Sequence, residues 1–293
     1  IAEVEAVPMI DFHNLLNMQP GTIYRPRTND VQEQITNELS IRGGTGVGVF
    51  VDGLNITEAL SSGSLTNFNL SSLKAAEILT GGFNAEYGNA LSGVVNIVTQ
   101  SGSDKFEAYV TGYVGSYFTD HSDIFKNLDQ PWDLAQRNLQ LTLSGPISPI
   151  KNLYFFVTGR YYKNNGYLYG QRIFNINDDI PFFPNLADQT FWIPRNTGDG
   201  EYVSMNPDRK YSANAKLTYA LPELSIAYSM FWDDNENRYY DHGFSLTPDA
   251  IMTHYRTNLI HNLQFTYFPS SNTFHTLKFS ANFYDYKGYL YDD

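Results

Sequence analysis

Asp233, Asn235 and Asn237 place oxygen-bearing side chains at every second position, the spacing of the first half of a calcium loop. The central glycine and the distal bidentate glutamate of such a loop are missing, and Asp241-His242 follow instead. The run reads as a solvated loop tip; these three residues are the nearest approach to a metal site, and no metal is expected. The six histidines, at 13, 121, 242, 254, 261 and 275, do not cluster as ligands. His261 and His275 fall in strand-like runs and read as interfacial or lumenal. The stretch 164–208 sets Tyr167, Tyr169, Phe182, Phe183, Phe191, Trp192 and Tyr202 among Asn, Asp and Gly, and Tyr239-Tyr240 follow the acidic run. Aromatic faces beside amides and carboxylates suit a sugar ring, a peptide or an aromatic chelate. Phe182, Phe183, Phe191, Trp192, Tyr202, Tyr239 and Tyr240 are therefore ligand-contact candidates, against the plainer reading of a long loop packing on itself. Enzyme signatures are absent: no Gly-x-Ser-x-Gly, His-Glu-x-x-His or Walker loop occurs. Ser92-Gly93, in Asn-Ala-Leu-Ser-Gly, lacks the first glycine of a nucleophile elbow. No enzyme and no cofactor are expected.

The elements that must carry these loops are long alternating strands. In Tyr211–Tyr219 every odd residue is apolar or aromatic and every even one polar. Leu139, Leu141 and Leu143 alternate in the same way, as do 259–268 and 275–283. Period 2 over about ten residues is a strand signal. The pattern predicts about seven strands, near 105–118, 136–146, 152–163, 209–220, 223–233, 254–268 and 273–286. Their connections alternate long and short. The long ones are 119–135, 164–208 and 234–253; the short ones hold Pro146 to Lys151, Leu221-Pro222 and Pro269 to Asn272. Outer-membrane barrels have this asymmetry, with tight periplasmic turns and long extracellular loops. Ten residues tilted by about 45° rise roughly 24 Å, close to the apolar band of such a barrel.

Composition agrees. Of 293 residues, 15% are aromatic and only 17% charged, with 42% hydrophobic. That suits strands with one face on lipid and the other on water. No apolar run is long enough for a transmembrane helix. The start, Ile1 to Glu5, lacks the pattern of a signal peptide, which is expected to be absent or already removed. With no cysteine there is no disulfide and no thiolate metal site. A net charge of −12 supplies no basic footprint for nucleic acid.

Residues 1–102 have a different texture, short strands punctuated by glycine. Val47–Val51 is an apolar strand closed by Asp52-Gly53. Ser71–Glu77 reads as one helical turn entered from a serine cap. Glu77–Thr80 reads as a strand closed by Gly81-Gly82, and Gly93–Thr99 as another. Gly43, Gly53, Gly81, Gly82, Gly88 and Gly93 read as turn and packing residues.

Four ordered motifs here resemble the plug domain of TonB-dependent outer-membrane receptors. They are Ile41-Arg42-Gly43-Gly44, Val49-Phe50-Val51-Asp52-Gly53, Ala76-Glu77-Ile78-Leu79-Thr80-Gly81-Gly82, and Phe83-Asn84-Ala85-Glu86-Tyr87-Gly88 running on through Gly93 and Asn96 to Thr99. The Thr-Gly-Gly-Phe-Asn-Ala-Glu-Tyr-Gly form is similar to large Bacteroidota-type receptors. The resemblance implies an α+β plug domain over 1–102, followed by antiparallel transmembrane β-barrel strands over 103–293. These would be about seven of some 22, so the chain reads as an internal fragment. It makes 119–135, 164–208 and 234–253 extracellular. It implies plug charges, Arg42, Glu77 and Glu86, that pair with each other or with the barrel wall. It also implies active import of a siderophore, cobalamin, oligosaccharide or peptide in the bacterial outer membrane. The implied partners are the TonB-ExbB-ExbD complex (through a segment upstream of residue 1), outer-membrane lipid, an unidentified ligand and a surface lipoprotein, with no nucleic acid. Two other readings stand beside it: a plugged barrel that binds or assembles without TonB coupling, and a soluble all-β carbohydrate-binding protein.

Overall fold

A run that is apolar at every position suits a strand covered on both faces. Val47-Gly48-Val49-Phe50-Val51 is such a run, and it forms the fully buried strand β3 (Val47–Val51). The computed structural model describes residues 20–25, 38–44, 46–56, 70–84, 87–88, 90–128, 134–178 and 196–290. A short pair, β1 (Thr22–Arg25) with β2 (Glu38–Ile41), precedes β3 and lays Leu39 and Ile41 on its core. β4 (Leu54–Asn55) folds back on β3 through Asp52 and Gly53, whose φ values of 50° and 73° are those an Asp-Gly hairpin turn needs. β5 (Leu73–Leu79) and β6 (Gly93–Thr99) complete a sheet of order β4-β3-β6-β5, in which β3 and β6 run parallel. The expected helical turn over Ser71–Glu77 is a 3-10 turn at Leu70–Ser72 only, and the strand begins at Leu73. Lys-Ala-Ala-Glu favours helix by a few tenths of a kcal/mol per residue, which the ladder to β6 outweighs.

The rest of the chain is one antiparallel sheet. Its strands are β7 (Glu107–Gly115), β8 (Gln136–Pro146), β9 (Leu153–Asn164), β12 (Asp208–Ala220), β13 (Leu224–Arg238), β14 (Thr253–Ser270) and β15 (Thr273–Tyr289). They are hydrogen-bonded in chain order, and the sheet is open, with β7 and β15 at its edges. Between β9 and β12 lies a small hairpin, β10 (Tyr169–Gln171) with β11 (Tyr202–Ser204). The alternation sorts the side chains. Leu139, Leu141, Val157, Leu217, Leu277, Phe279 and Phe283 are exposed on the convex face, whereas Thr142, Thr158, Asn214, Asn262 and Thr266 are buried on the concave one. Polar inside and apolar outside is the inverse of a soluble sheet and the pattern of a membrane barrel. His261 is on the apolar outer face, where Tyr228 Oη lies 2.7 Å from its Nδ1.

Asp233, Asn235 and Asn237 are not on a loop tip. β13 runs on to Arg238, and the connection begins at Tyr239 instead of residue 234. All three are buried on the concave face, opposite Ser212, Lys210 and Asp208 of β12 and Asn258, Arg256 and His254 of β14. Alternate residues of a straight strand cannot curl around one ion as a calcium loop does. The polar composition that reads as a loop is the wet face of a strand.

The long connections are built. Arg172, just after β10, reaches Asp249 in the next long connection (Nε to Oδ2, 2.5 Å) and Asp199 before β11 (Nη1 to Oδ2, 2.6 Å). Asp178 accepts from Thr197 N and Oγ1, closing a neck between these arms. Hydrogen bonds to Asp249 and then Asp199 hold the Arg172 guanidinium above its ordinary range. The Glu201 N–H, followed by Arg172, holds the Asp199 carboxyl below its own. Two 3-10 turns, His242–Phe244 and Pro248–Ala250, shape the facing connection, and Gln171 and Ile173 donate to Ser245 and Leu246 across the gap.

Two outcomes follow from this packing. A Cβ at Gly102 would stand 2.2 Å from the Phe155 carbonyl oxygen, backbone against backbone. Gly102→Ala is therefore expected to lower the free energy of unfolding in urea by about 1–3 kcal/mol. Arg172→Ala frees the loop arms and is expected to raise amide hydrogen exchange at Gly198 and Gly200 by a few fold, a modest effect because the tie is exposed and screened. Because the Asp199 carboxyl is lowered, its contribution is complete above the unfolded value of about 3.9 and is lost as pH falls through the lower folded one. Protection at these amides therefore persists at mildly acidic pH.

Candidate functional site

The turn that closes β3 is the point where the small sheet meets the wall. Asp52 lies in a left-handed conformation, with its backbone N–H bonded to the Ile97 carbonyl. This aims the carboxylate past the end of β6. There it accepts from Thr99 N at 2.9 Å and Thr99 Oγ1 at 2.6 Å. Its other partner is Lys216 of β12, whose Nζ is 3.0 Å from Oδ2 and 2.9 Å from Thr99 Oγ1. The Lys216 and Asp52 side chains are only 12% and 14% exposed. Lys278 of β15 donates to the Asp52 carbonyl oxygen at 2.8 Å. Removing one partner of a nearly buried pair strands the other charge, at a cost on the order of 3–5 kcal/mol.

Strand register explains why these wall residues converge. Thr142, Thr158, Asn214, Phe231, Ile260 and Asn282 are successive partners across β8, β9, β12, β13, β14 and β15, forming one row on the concave face. This row is the seat. Ser71 Oγ lies 3.1 Å from Thr158 Oγ1, and Asn214 Nδ2 donates to Ser72 Oγ at 2.8 Å. Phe231 and Ile260 join the apolar core of the small sheet, alongside Val49, Val95 and Ile97. Lys216 and Lys278 come from the rows directly below. Above the seat the rows are charged and polar: Arg160, Ser212 and Asp233, then Tyr162, Lys210, Asn235 and Arg256.

A cavity of about 500 Å³ separates sheet and wall beneath the seat. Phe50 and Tyr87, packed edge to face with ring centres 5.0 Å apart, form part of its lining, with Asp52, Asn96, Lys216 and Lys278. Asn96, Thr218 and Asn262 belong to the lining, and their buried Oδ1, Oγ1 and Nδ2 atoms have no protein hydrogen-bond partner.

Of the charges expected to hold the two parts together, Arg42 lies at the end of β2 with its amide bonded to the Gly21 carbonyl and its Nη1 against Gly81. Glu77 is exposed on β5 opposite Asn96, and Glu86 lies outside the described residues. The charge that reaches the wall is Asp52, read from sequence only as a turn residue. Gly43, Gly53 and Gly82 have positive φ, Gly88 lies in a turn, and Gly93 is pressed by Ile41 and the Leu79 carbonyl. Phe182, Phe183, Phe191 and Trp192 lie outside the described residues. Tyr202 opens β11, half exposed; the Tyr239 ring lies tilted against His254 with centres 5.0 Å apart, and Tyr240 Oη meets His242 Nδ1 at 2.7 Å. The structure does not bring Tyr202 together with Tyr239 or Tyr240 in any ring contact. Sequence reasoning missed Lys216 and Lys278. A signal existed: each is a lone cation at a polar-face position in the middle of an alternating strand.

The comparisons fit this geometry. The family model for the TonB-dependent Receptor Plug Domain matches residues 2–94. The chain is similar in fold to the siderophore receptor PirA from Pseudomonas aeruginosa, with a TM-score of 0.61 and 16% identity over 98% of this chain and 40% of that one. It is similar to the alcaligin outer-membrane receptor FauA from Bordetella pertussis, with a TM-score of 0.59 and 14% identity over 97% and 38%. The copper transporter OprC gives 0.57 and 12% over 94% and 34%. The chain thus spans at most about two fifths of the solved structures it resembles here. Residues 2–94 thus carry the plug domain of TonB-dependent receptors, and the chain as a whole has the fold of a plug with the adjoining part of a barrel wall, as in the receptors of the bacterial outer membrane.

Proposed function

We propose that the whole receptor is an active importer, not an enzyme, in which residues 1–102 gate a barrel that begins at residue 103. The observation that carries this reading is the polar seat. The plug is held on the wall by Lys216 and Lys278 at Asp52, by Asn214 at Ser72 and by the Thr158 hydroxyl at Ser71, contacts that water can replace as the plug leaves. A fused apolar interface would have no such replacement. In this reading the long connections near 119–135, 164–208 and 239–252 face the cell exterior and the short turns face the periplasm. TonB, with ExbB and ExbD, supplies the pull through a segment upstream of residue 1. The cargo is a scarce nutrient of the siderophore, cobalamin, oligosaccharide or peptide kind. The solved relatives named for siderophores favour a chelated metal among these. Phe182, Phe183, Phe191, Trp192, Tyr202, Tyr239 and Tyr240 supply aromatic contacts to it on the outer side, where a surface lipoprotein partner would also dock.

A second reading has its own support. Phe231 and Ile260 of the wall belong to the plug core, which favours a plug that stays seated and a barrel that binds or assembles without TonB coupling. Uptake separates the two. Cells carrying the full receptor are offered ferric chelates, copper, cobalamin, oligosaccharides and peptides, with and without a protonophore. The importer binds its cargo in both conditions and accumulates it only with the proton gradient intact. Accumulation that ignores the protonophore, or binding with no accumulation at all, sinks the importer reading.

A further inference from the structure

Past the seat, the inward positions of β12–β15 are Ser, Thr, Ala, Asn and Gln down to Thr276, save for two lysines. The chain as a whole has 31 acidic residues against 19 Lys and Arg, so this sign is not a matter of composition. Both lysines line the same cavity and both end on one plug residue, Asp52, the one acid in that lining. Lys216 is neutralised by the Asp52 carboxylate at 3.0 Å, whereas Lys278 has only the carbonyl at 2.8 Å and is in no ion pair among the described residues. Asn262, 4% exposed, belongs to the same lining and has a buried Nδ2 donor with no protein partner. The wall thus presents donors and positive charge to an oxygen anion, and the plug supplies that anion.

We propose that Lys216 and Lys278 form an anion-receiving site on the barrel wall, occupied by Asp52 while the plug is seated and taken over by an anionic oxygen group of the cargo when it leaves. This inference rests on the importer reading. Its physics is counter-ion exchange. Withdrawing Asp52 leaves two ammonium groups on the wall that water screens without neutralising, one of them newly stripped of its counter-charge. An anion that enters as Asp52 leaves restores that counter-charge, so cargo and plug displacement favour each other by the same free energy. The class of cargo implied has a carboxylate, phosphate or comparable oxyanion at its surface. A neutral or cationic cargo would meet a barrier here.

The test uses the full-length receptor in planar lipid bilayers, with urea to draw the plug from its seat and a potassium chloride gradient to read ion preference. Reversal potentials give the chloride-to-potassium permeability ratio of the opened pore. The Lys216→Gln/Lys278→Gln double variant is expected to lower that ratio about twofold or more, each single variant by less, and Lys216→Arg to keep it. If the double variant fails to insert, the two single variants bear the same comparison with Lys216→Arg. A ratio unchanged by the glutamine substitutions overturns the anion site while leaving the plugged importer intact. A native receptor that opens no pore in urea overturns the displaceable plug, and the anion site with it.

Discussion

A strand that crosses lipid has to find partners for every backbone N–H and C=O inside the sheet, because the hydrocarbon supplies none. The wall follows from this constraint. It forces a continuous ladder, so β7, β8, β9, β12, β13, β14 and β15 pair in chain order with long unbroken registers. The ladder fixes which residues stand side by side. The lipid takes the apolar half of each strand, and every other residue is left to the lumen. Rows of lumenal side chains across neighbouring strands are the inevitable product, and the plug is fitted to one of them. His261 shows how firmly the rule holds: an imidazole on the lipid face is tolerated with its Nδ1 engaged by Tyr228 beside it in the same sheet.

In the importer reading the seat has to be stable at rest and yet reversible, and the sizes of its contacts suit both needs. Each neutral bond, such as Ser72 with Asn214, nets about 1 kcal/mol, because water offers nearly as good a partner. The ion pair is worth more while it stays dry and loses most of that value once water enters. Phe231 and Ile260 pull the other way, since burying each side chain contributes roughly 1.5–3 kcal/mol that water does not return. Two apolar anchors among many polar contacts make the plug specific in position without welding it to the wall.

The strands of the wall are legible in sequence because their cause is local. Period 2 in 136–146 and 209–220 gives boundaries within a residue of those observed. The plug strands Val47–Val51 and Gly93–Thr99 are legible for the same reason: apolar runs ended by turn residues. Misreadings fall where the cause is distant. Leu73–Leu79 is a strand because β6 lies beside it, and Asp233, Asn235 and Asn237 are lumenal because β12 and β14 flank them. The seat itself joins residues far apart in the chain. Lys216 is 164 positions from Asp52, and Lys278 is 226. Alternation states that each lysine faces the lumen; only register states at what height, and so against which plug residue.

Register also gathers the attachments in one corner of the plug. Leu73 at the start of β5 is opposite Thr99 at the end of β6, and Gln100 N donates to the Ser72 carbonyl at 2.7 Å. Asp52 reaches the same strand end through its bond to Ile97. Asp52, Ser71, Ser72 and Thr99 therefore touch the wall around the end of β6 that leads into Gly102, where the chain itself is pressed against Phe155. The opposite end of β6, at Gly93, is about 20 Å away along a strand of this length. A force applied at that far end acts on the seat through a lever, opening the outermost contact first and the covalent crossing last. Contacts scattered around the plug would all stretch together and their costs would add. In the importer reading, contacts bunched at the crossing can fail in sequence, which lets a plug that rests stably be moved by a modest pull and swing back to the same row.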